Sequence, residues 1–451
     1  MDEKLLARAG EKNKESEESE ESEEVLGNSA IHRVDVYPSA YTMTNMNVTL
    51  ADIRAAADRI RGAVYRSPCP YSLALSKLCG AEVFCKLDHL QMTGSFKERG
   101  ARNKLMRLSE VERQRGVIAA SAGNHALGVA YHGQLLGIRV TVVMPRTAPL
   151  VKITKCRGHG AEVILHGENL DEARILARET SDKTGATYIH GFDDPDIIAG
   201  QGTIGLEILE DIPDVDAVIV PVGGGGLIAG IGAAIKALKP SVRIIGVESE
   251  RAPTLRESLA RGAPTRIATR QTLADGLAVS VVGDLCFEMA RTVVDEVVLV
   301  DEGEIASSVL RLLELEKMVI EGSAAVSLAA ITGRDLGLRG KRVVLVLCGG
   351  NIDVTVLARI IERGLARDGR LCRLRAEISD RAGSLAAFLT LVATTGASIK
   401  DVTHDRQFAS ADVALTGVSL VLETRDRAHI EEIGRALTAA GVINRIETAP
   451  V

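Results

Sequence analysis

Ala217-Val-Ile-Val-Pro-Val-Gly-Gly-Gly-Gly-Leu227 is the stretch on which the fold turns. Its first six residues are apolar without a polar break. That is the pattern of a strand buried on both faces; a half-exposed strand alternates apolar and polar residues. Four glycines and then the apolar, helix-like segment 228–238 follow, so strand, tight turn and helix succeed one another directly. Similar apolar runs at 82–87, 117–120, 140–144, 242–247 and 343–347 are separated by helix-length segments. This alternation predicts an α/β fold with largely parallel sheets. In such folds ligands sit at the carboxyl ends of the strands, where turns such as Gly223-Gly-Gly-Gly226 and Ser121-Ala-Gly-Asn124 lie.

The pattern changes after Arg370. Strand 372–378, helix 383–395, strands 398–404 and 413–423, helix 428–440 and strand 442–447 give the order β-α-β-β-α-β, a ferredoxin-like α+β unit. Residues 364–370, rich in Gly and Arg, read as the linker. At the other end, residues 15–24 are only Glu and Ser, and residues 1–42 read as a mobile acidic tail. The expected organisation is therefore a tail at 1–42, an α/β domain at 43–365 and a small domain at 371–451.

Composition excludes several classes of function. Aromatic residues are 3% of the 451 and Trp is absent, which argues against ring-stacking platforms for single-stranded nucleic acid. The net charge of −6 comes from the first 24 residues, where ten acids face four bases; the rest is balanced and offers no general grip on phosphate backbones or anionic lipid. No apolar run approaches the roughly 18 residues needed to span a bilayer, and the acidic N-terminus lacks the features of a signal peptide. Seven cysteines without a C-x-x-C pair fit reduced thiols and a cytoplasmic location.

Four segments could carry chemistry. In Met92-Thr-Gly-Ser-Phe-Lys-Glu-Arg-Gly-Ala101, Lys97 stands beside Phe96 at the start of a helix, where the dipole lowers an amine's pKa; a solvated lysine in a first helical turn fits the same pattern. Ser121, Ala122, Gly123, Asn124 and His125 follow a buried strand, and their small size lets backbone N–H groups approach a carboxylate, although Asn124 as a helix cap is equally compatible. Gly223, Gly224, Gly225, Gly226 and Leu227 open a helix and form a nest of N–H groups able to hold a phosphate without a basic side chain. The G-K-[ST] ending of a Walker loop is missing. Cys348 ends a fourth strand before Gly349-Gly-Asn351; it could face a ligand ring or serve as a small core residue. An amine, a carboxylate loop, a phosphate cradle and a mild ring partner together describe a site for pyridoxal 5'-phosphate.

With these motifs, Phe192-Asp-Asp-Pro195, Ile198-Ala-Gly-Gln-Gly-Thr203 and Thr272-Leu-Ala-Asp-Gly-Leu-Ala278 in order along some 300 residues, the chain resembles the fold type II (tryptophan synthase beta-like) pyridoxal-phosphate enzymes. It is most similar to the threonine dehydratases, with the serine racemases as near relatives. The resemblance implies two parallel-sheet subdomains and assigns Lys97 to the cofactor and to the Cα proton, with Phe96 packed beside the pyridine ring. By the same resemblance Asn124 meets the ring oxygen, Gly223 to Leu227 the phosphate, Cys348 the ring nitrogen, and Ser121, Ala122, Gly123 and His125 the substrate carboxylate. It implies deamination of L-threonine, and of L-serine, in which β-elimination of the hydroxyl leaves an enamine that hydrolyses to the oxo acid and ammonia, in preference to racemisation, because Ala122 stands where the racemases carry a proton-transferring serine. Glu248 matches a metal-ligand position of the family, but Thr254 replaces a carboxylate there, and no metal is assigned. Asp380-Arg-Ala-Gly-Ser-Leu385 resembles the opening of an ACT domain's effector site, with isoleucine or valine as expected effectors and a homodimer or homotetramer as the expected assembly.

Overall fold

The structure is a computed structural model and describes residues 48–406 and 412–448. The acidic tail expected at 1–42 lies outside the described residues. Thirteen strands are found among those described: β1 Glu82–Lys86, β2 Val117–Ala120, β3 Val140–Met144, β4 Glu162–Leu165, β5 Thr187–Tyr188, β6 Ala217–Pro221, β7 Arg243–Ser249, β8 Glu296–Val300, β9 Arg342–Val346, β10 Leu371–Ser379, β11 Ser398–Asp405, β12 Leu415–Glu423 and β13 Ile443–Glu447. They form three sheets.

The first sheet has the order β1-β9-β6-β7-β8 and is parallel throughout. The second, β4-β3-β2-β5, is parallel as well. These are the two parallel-sheet subdomains. Strands β6 and β2 are buried at every residue, as continuous apolarity requires. The strands that the apolar pattern does not reveal, β4, β5 and β8, are all at sheet edges, and none of them is buried along its whole length.

The third sheet is antiparallel, β11-β12-β10-β13. With helices Ser384–Thr394 and Arg427–Ala439 it completes the ferredoxin-like unit. Here burial alternates: Val418, Leu420 and Leu422 of β12 and Leu374 of β10 face one core with Phe388, Val392, Ile433 and Leu437.

The expected linker is shorter than its composition suggested. Helix Val354–Arg367 runs through Gly364, and only three residues, with Gly369 at φ 73°, separate it from β10. Gly364 lies inside the helix despite its low helix propensity, at a point where a Cβ would come within 2.3 Å of the Leu310 side chain.

Three helices set the geometry of the catalytic region: Lys97–Arg107, Pro195–Asp211 and Gly226–Leu238. They touch backbone to backbone. A Cβ on Gly200 would lie 2.6 Å from the Gly100 Cα, and one on Gly230 would lie 2.4 Å from the Ile198 carbonyl oxygen. The Gln201 side-chain oxygen accepts the Gly100 N–H at 3.3 Å across this seam. The motif at 198–203 therefore serves helix packing.

Candidate active site

Lys97 is carried to its position by the segment that follows β1. Gly94, at φ 78°, turns the chain where a side chain would collide with Asn351 at 2.8 Å. Ser95 then bridges to Gly349, Phe96 donates its N–H to the Cys348 carbonyl at 3.0 Å, and Gly350 donates to the Gly94 carbonyl at 3.0 Å. Residues 94–96 thus lie along 348–350, and Lys97 begins its helix beside the end of β9. Its Nζ donates to the Gly191 carbonyl at 2.6 Å and sits 5.1 Å from the centroid of the half-buried Phe96 ring.

Burial lowers the Lys97 amine to about 8, against the opposing pull of Cys348, Cys286 and Glu321. The sequence places this lowering in the helix dipole. The structure gives desolvation as the cause.

The glycine loop lies one residue further along the same wall. Phe192, next to Gly191, stacks edge-on against His190 with ring centroids 4.6 Å apart and presses on the loop: a Cβ on Gly224 would be 2.3 Å from its ring. A Cβ on Gly225 would be 2.9 Å from Cys286, and one on Gly223 would be 3.0 Å from Leu277, which explains the 272–278 motif as the back of the cradle. Gly225 caps helix Gly226–Leu238 at φ 93°, a value that favours glycine. Among the described residues the N–H groups of Gly223, Gly224 and Gly225 meet no acceptor. Leu227 is buried behind them. Free N–H groups at a helix start fit a phosphate, and the adjacent depressed amine fits an aldehyde; the residues present suit pyridoxal phosphate.

The loop after β2 forms a third wall. Ser121 Oγ accepts the Gly123 N–H at 3.2 Å, and Ala122 and Gly123 are partly exposed beside it. Helix Asn124–Leu136 is capped by Gly123 without a side-chain bond, so the cap alternative for Asn124 does not hold. The Asn124 amide instead donates to Glu321 at 2.8 Å and accepts from Asn351 at 2.9 Å. His125 is buried, with Nε2 3.0 Å from the Ile189 carbonyl oxygen, and burial followed by the Lys97 charge lowers it to about 3, so the ring is neutral. Cys348 is buried, and burial drives its thiol well above the ordinary value, leaving it protonated.

Two groups in this cluster escape sequence reasoning. Glu321 is buried at the start of the small-residue helix Gly322–Gly333, against Gly349, and a lone Glu before Gly-Ser-Ala-Ala reads as a surface cap. Asn351 is visible as part of a motif, but its bonds to Asn124 and to the Thr93 carbonyl, at 2.7 Å, are not. Glu248 plays a plain structural part. Its two oxygens accept the N–H groups of Leu255 and Arg256 at 2.7 and 3.0 Å and cap helix Thr254–Arg261.

The family model described as pyridoxal-phosphate dependent enzyme matches residues 60–349. An L-threonine ammonia-lyase of Thermotoga maritima is 50% identical over 399 residues, 88% of this chain and 99% of its own. Among solved structures, the processed form of threonine deaminase isoform 2 from Solanum lycopersicum aligns with TM-score 0.66 and 39% identity, covering 69% of this chain and 86% of its own. The serine racemase of Dictyostelium discoideum aligns with TM-score 0.64 and 35% identity over 68% of this chain and all of its own. The chain belongs to the pyridoxal-phosphate dependent enzymes, in the family of the threonine ammonia-lyases.

Proposed function

We infer that the protein deaminates L-threonine to 2-oxobutanoate and ammonia, and L-serine to pyruvate and ammonia, by β-elimination. The observation that carries this reading is the Lys97 Nζ, lowered by burial and bonded to Gly191, on the same wall as the crowded glycine loop. Bound there, pyridoxal phosphate supplies an aldehyde for the amine and an electron sink for the bonds that break. Free-base Lys97 removes the substrate's Cα proton at Nζ, and a pKa of about 8 suits that step in neutral solution. The N–H groups of Gly223 to Leu227 would hold the phosphate, Asn124 would meet the ring oxygen, and Phe96 would pack beside the ring. Ser121, Ala122, Gly123 and His125 wall the substrate carboxylate. The protonated Cys348 thiol would be a weak partner for the ring nitrogen, which favours prompt loss of the β-hydroxyl.

Serine racemisation is the second reading, favoured by the shared fold. It needs an acid/base on the face opposite Lys97, and the Ala122 methyl cannot move a proton.

Residues 371–451 are read as an ACT regulatory domain that binds isoleucine or valine. The sheet order and the Asp380-Arg-Ala-Gly383 turn between β10 and helix Ser384–Thr394 support this. A cytoplasmic homodimer or homotetramer completes the reading; all seven cysteines are free thiols, which supports the compartment.

Incubation of the full chain with L-threonine, L-serine and D-serine, with oxo-acid release as the readout, tests the reaction. Turnover of threonine that exceeds that of serine is expected, with chiral chromatography of the L-serine sample showing no D-serine; oxo acid from serine alone overturns the assignment. Lys97→Ala abolishes both turnover and the visible band of the bound cofactor, and persistence of either removes Lys97 from its role. Isoleucine or valine changes the threonine saturation curve, and a flat response to both leaves the C-terminal unit without its proposed effectors.

A further inference from the structure

The structure assigns a new role to Glu321: we propose that it is the positioning residue of the ring-binding end of the site, orienting Asn124 and switching the strength of that hold by gaining or losing a proton. This rests on the reading of Asn124 as the contact for the cofactor's ring oxygen.

The geometry is specific. An asparagine amide has two N–H donors and one oxygen. One Asn124 N–H goes to Glu321 Oε1 at 2.8 Å, and the Asn124 oxygen accepts from Asn351 at 2.9 Å. The amide can therefore not turn over, and one N–H is left for a ligand. Glu321 is itself immobile: its backbone N–H donates to the Gly349 carbonyl at 3.1 Å, and its carboxyl lies so close to Gly349 that a Cβ there would be 2.1 Å from Oε1.

The carboxyl is also displaced toward neutral pH. Burial comes first and raises it to about 7; the Asp275 charge adds to this, while Lys152 and the bonds from Asn124 and the Asn351 backbone oppose it. Lys97 and Cys348 feel its charge as well. A carboxylate accepts the Asn124 N–H as a charge-assisted bond, and a neutral acid accepts it more weakly. The proton released on ionisation goes to solvent. In the ionised state Glu321 also raises the amine of Lys97, so one proton on Glu321 alters two groups that meet the cofactor.

The test uses the holoenzyme with Glu321→Gln and Glu321→Ala. The visible absorption of bound pyridoxal phosphate is recorded from pH 5.5 to 9, with kcat and kcat/KM alongside. The wild type shows a step with a midpoint near 7 in the visible band and in kcat. Glu321→Gln keeps the acceptor for Asn124, binds the cofactor within about threefold of wild type and loses that step. Glu321→Ala loses the acceptor and falls at least about tenfold in kcat. An unchanged step in Glu321→Gln, or full kcat in Glu321→Ala, overturns the proposal. If the wild type forms no Lys97-dependent band, the cofactor reading itself fails and the proposal falls with it; a normal band with unaltered Glu321 variants refutes the proposal alone.

Discussion

Replacing Arg99 with Met tests how the lysine helix is held in place. Arg99 is buried two residues after Lys97 and clamps Asp88 with Nε and Nη2 at 2.7 and 2.8 Å. It also meets Glu207 with Nη1 and Nη2 at 2.6 and 2.9 Å, and Thr203 at 3.0 Å. After the substitution Glu207 keeps Lys86 at 2.6 Å, whereas buried Asp88 keeps only the Ser67 hydroxyl at 2.5 Å as a hydrogen-bond partner. Removing one member of a buried ion pair leaves an uncompensated charge and is destabilising by about 3–5 kcal/mol, and the Lys86 charge that still acts on Asp88 places this case at the lower end of that range. Burial alone would raise Asp88; the adjacent Arg99 charge outweighs it and holds the carboxyl below its ordinary value. In the wild type that stability is present above the unfolded-state pKa and is lost as acid titrates the folded group. In Arg99→Met only the Lys86 charge and the Ser67 hydroxyl still oppose burial, so Asp88 moves up from its wild-type position, and the deficit is greatest at pH 8 and shrinks toward pH 5. Urea unfolding followed by circular dichroism at both values measures it, with Arg99→Met/Asp88→Asn recovering a large part of the loss at pH 8. A deficit under about 1 kcal/mol at pH 8, or a double variant no better than the single one, would refute the reasoning.

Two further substitutions probe the site and its surroundings. Gly224→Ala puts a methyl 2.3 Å from the Phe192 ring, so a loss of about 1–3 kcal/mol in thermal or urea stability and a cofactor Kd at least about tenfold weaker are expected; unchanged binding by absorbance titration would show that the cradle tolerates a side chain. Glu248→Ala strips helix Thr254–Arg261 of both cap bonds. Burial raises Glu248 to about 7, above its unfolded value, so its ionisation lowers stability as pH climbs from about 4.5 through 7, and the variant loses that slope in a pH series of melting curves.

How much of this is legible in the sequence depends on how local the signal is. Interior strands such as β6 and β2 announce themselves because burial on both faces writes apolar residues at every position. Edge strands β4, β5 and β8 do not, since part of each meets solvent. Lys97 and the glycine loop are readable as motifs, each a few consecutive residues with one chemical consequence. The contacts of Glu321 with Asn124, or of Arg99 with Glu207, join positions far apart in the chain, and no local pattern marks them. Gly364 misleads in the opposite sense: its composition signals a break, but the packing of Leu310 makes glycine a requirement of an unbroken helix.

The seam of glycines at 100, 200, 202 and 230 has a bearing on how such an enzyme can change over generations. Because the helix that begins at Lys97 and the helix that begins at Gly226 are both gauged by main chain against Pro195–Asp211, their separation depends little on which side chains fill the more distant core. Substitutions that reshape the substrate-facing walls can accumulate without shifting the ruler between amine and anion. Drift in specificity is free to proceed there, while any methyl added at the seam alters the chemistry itself.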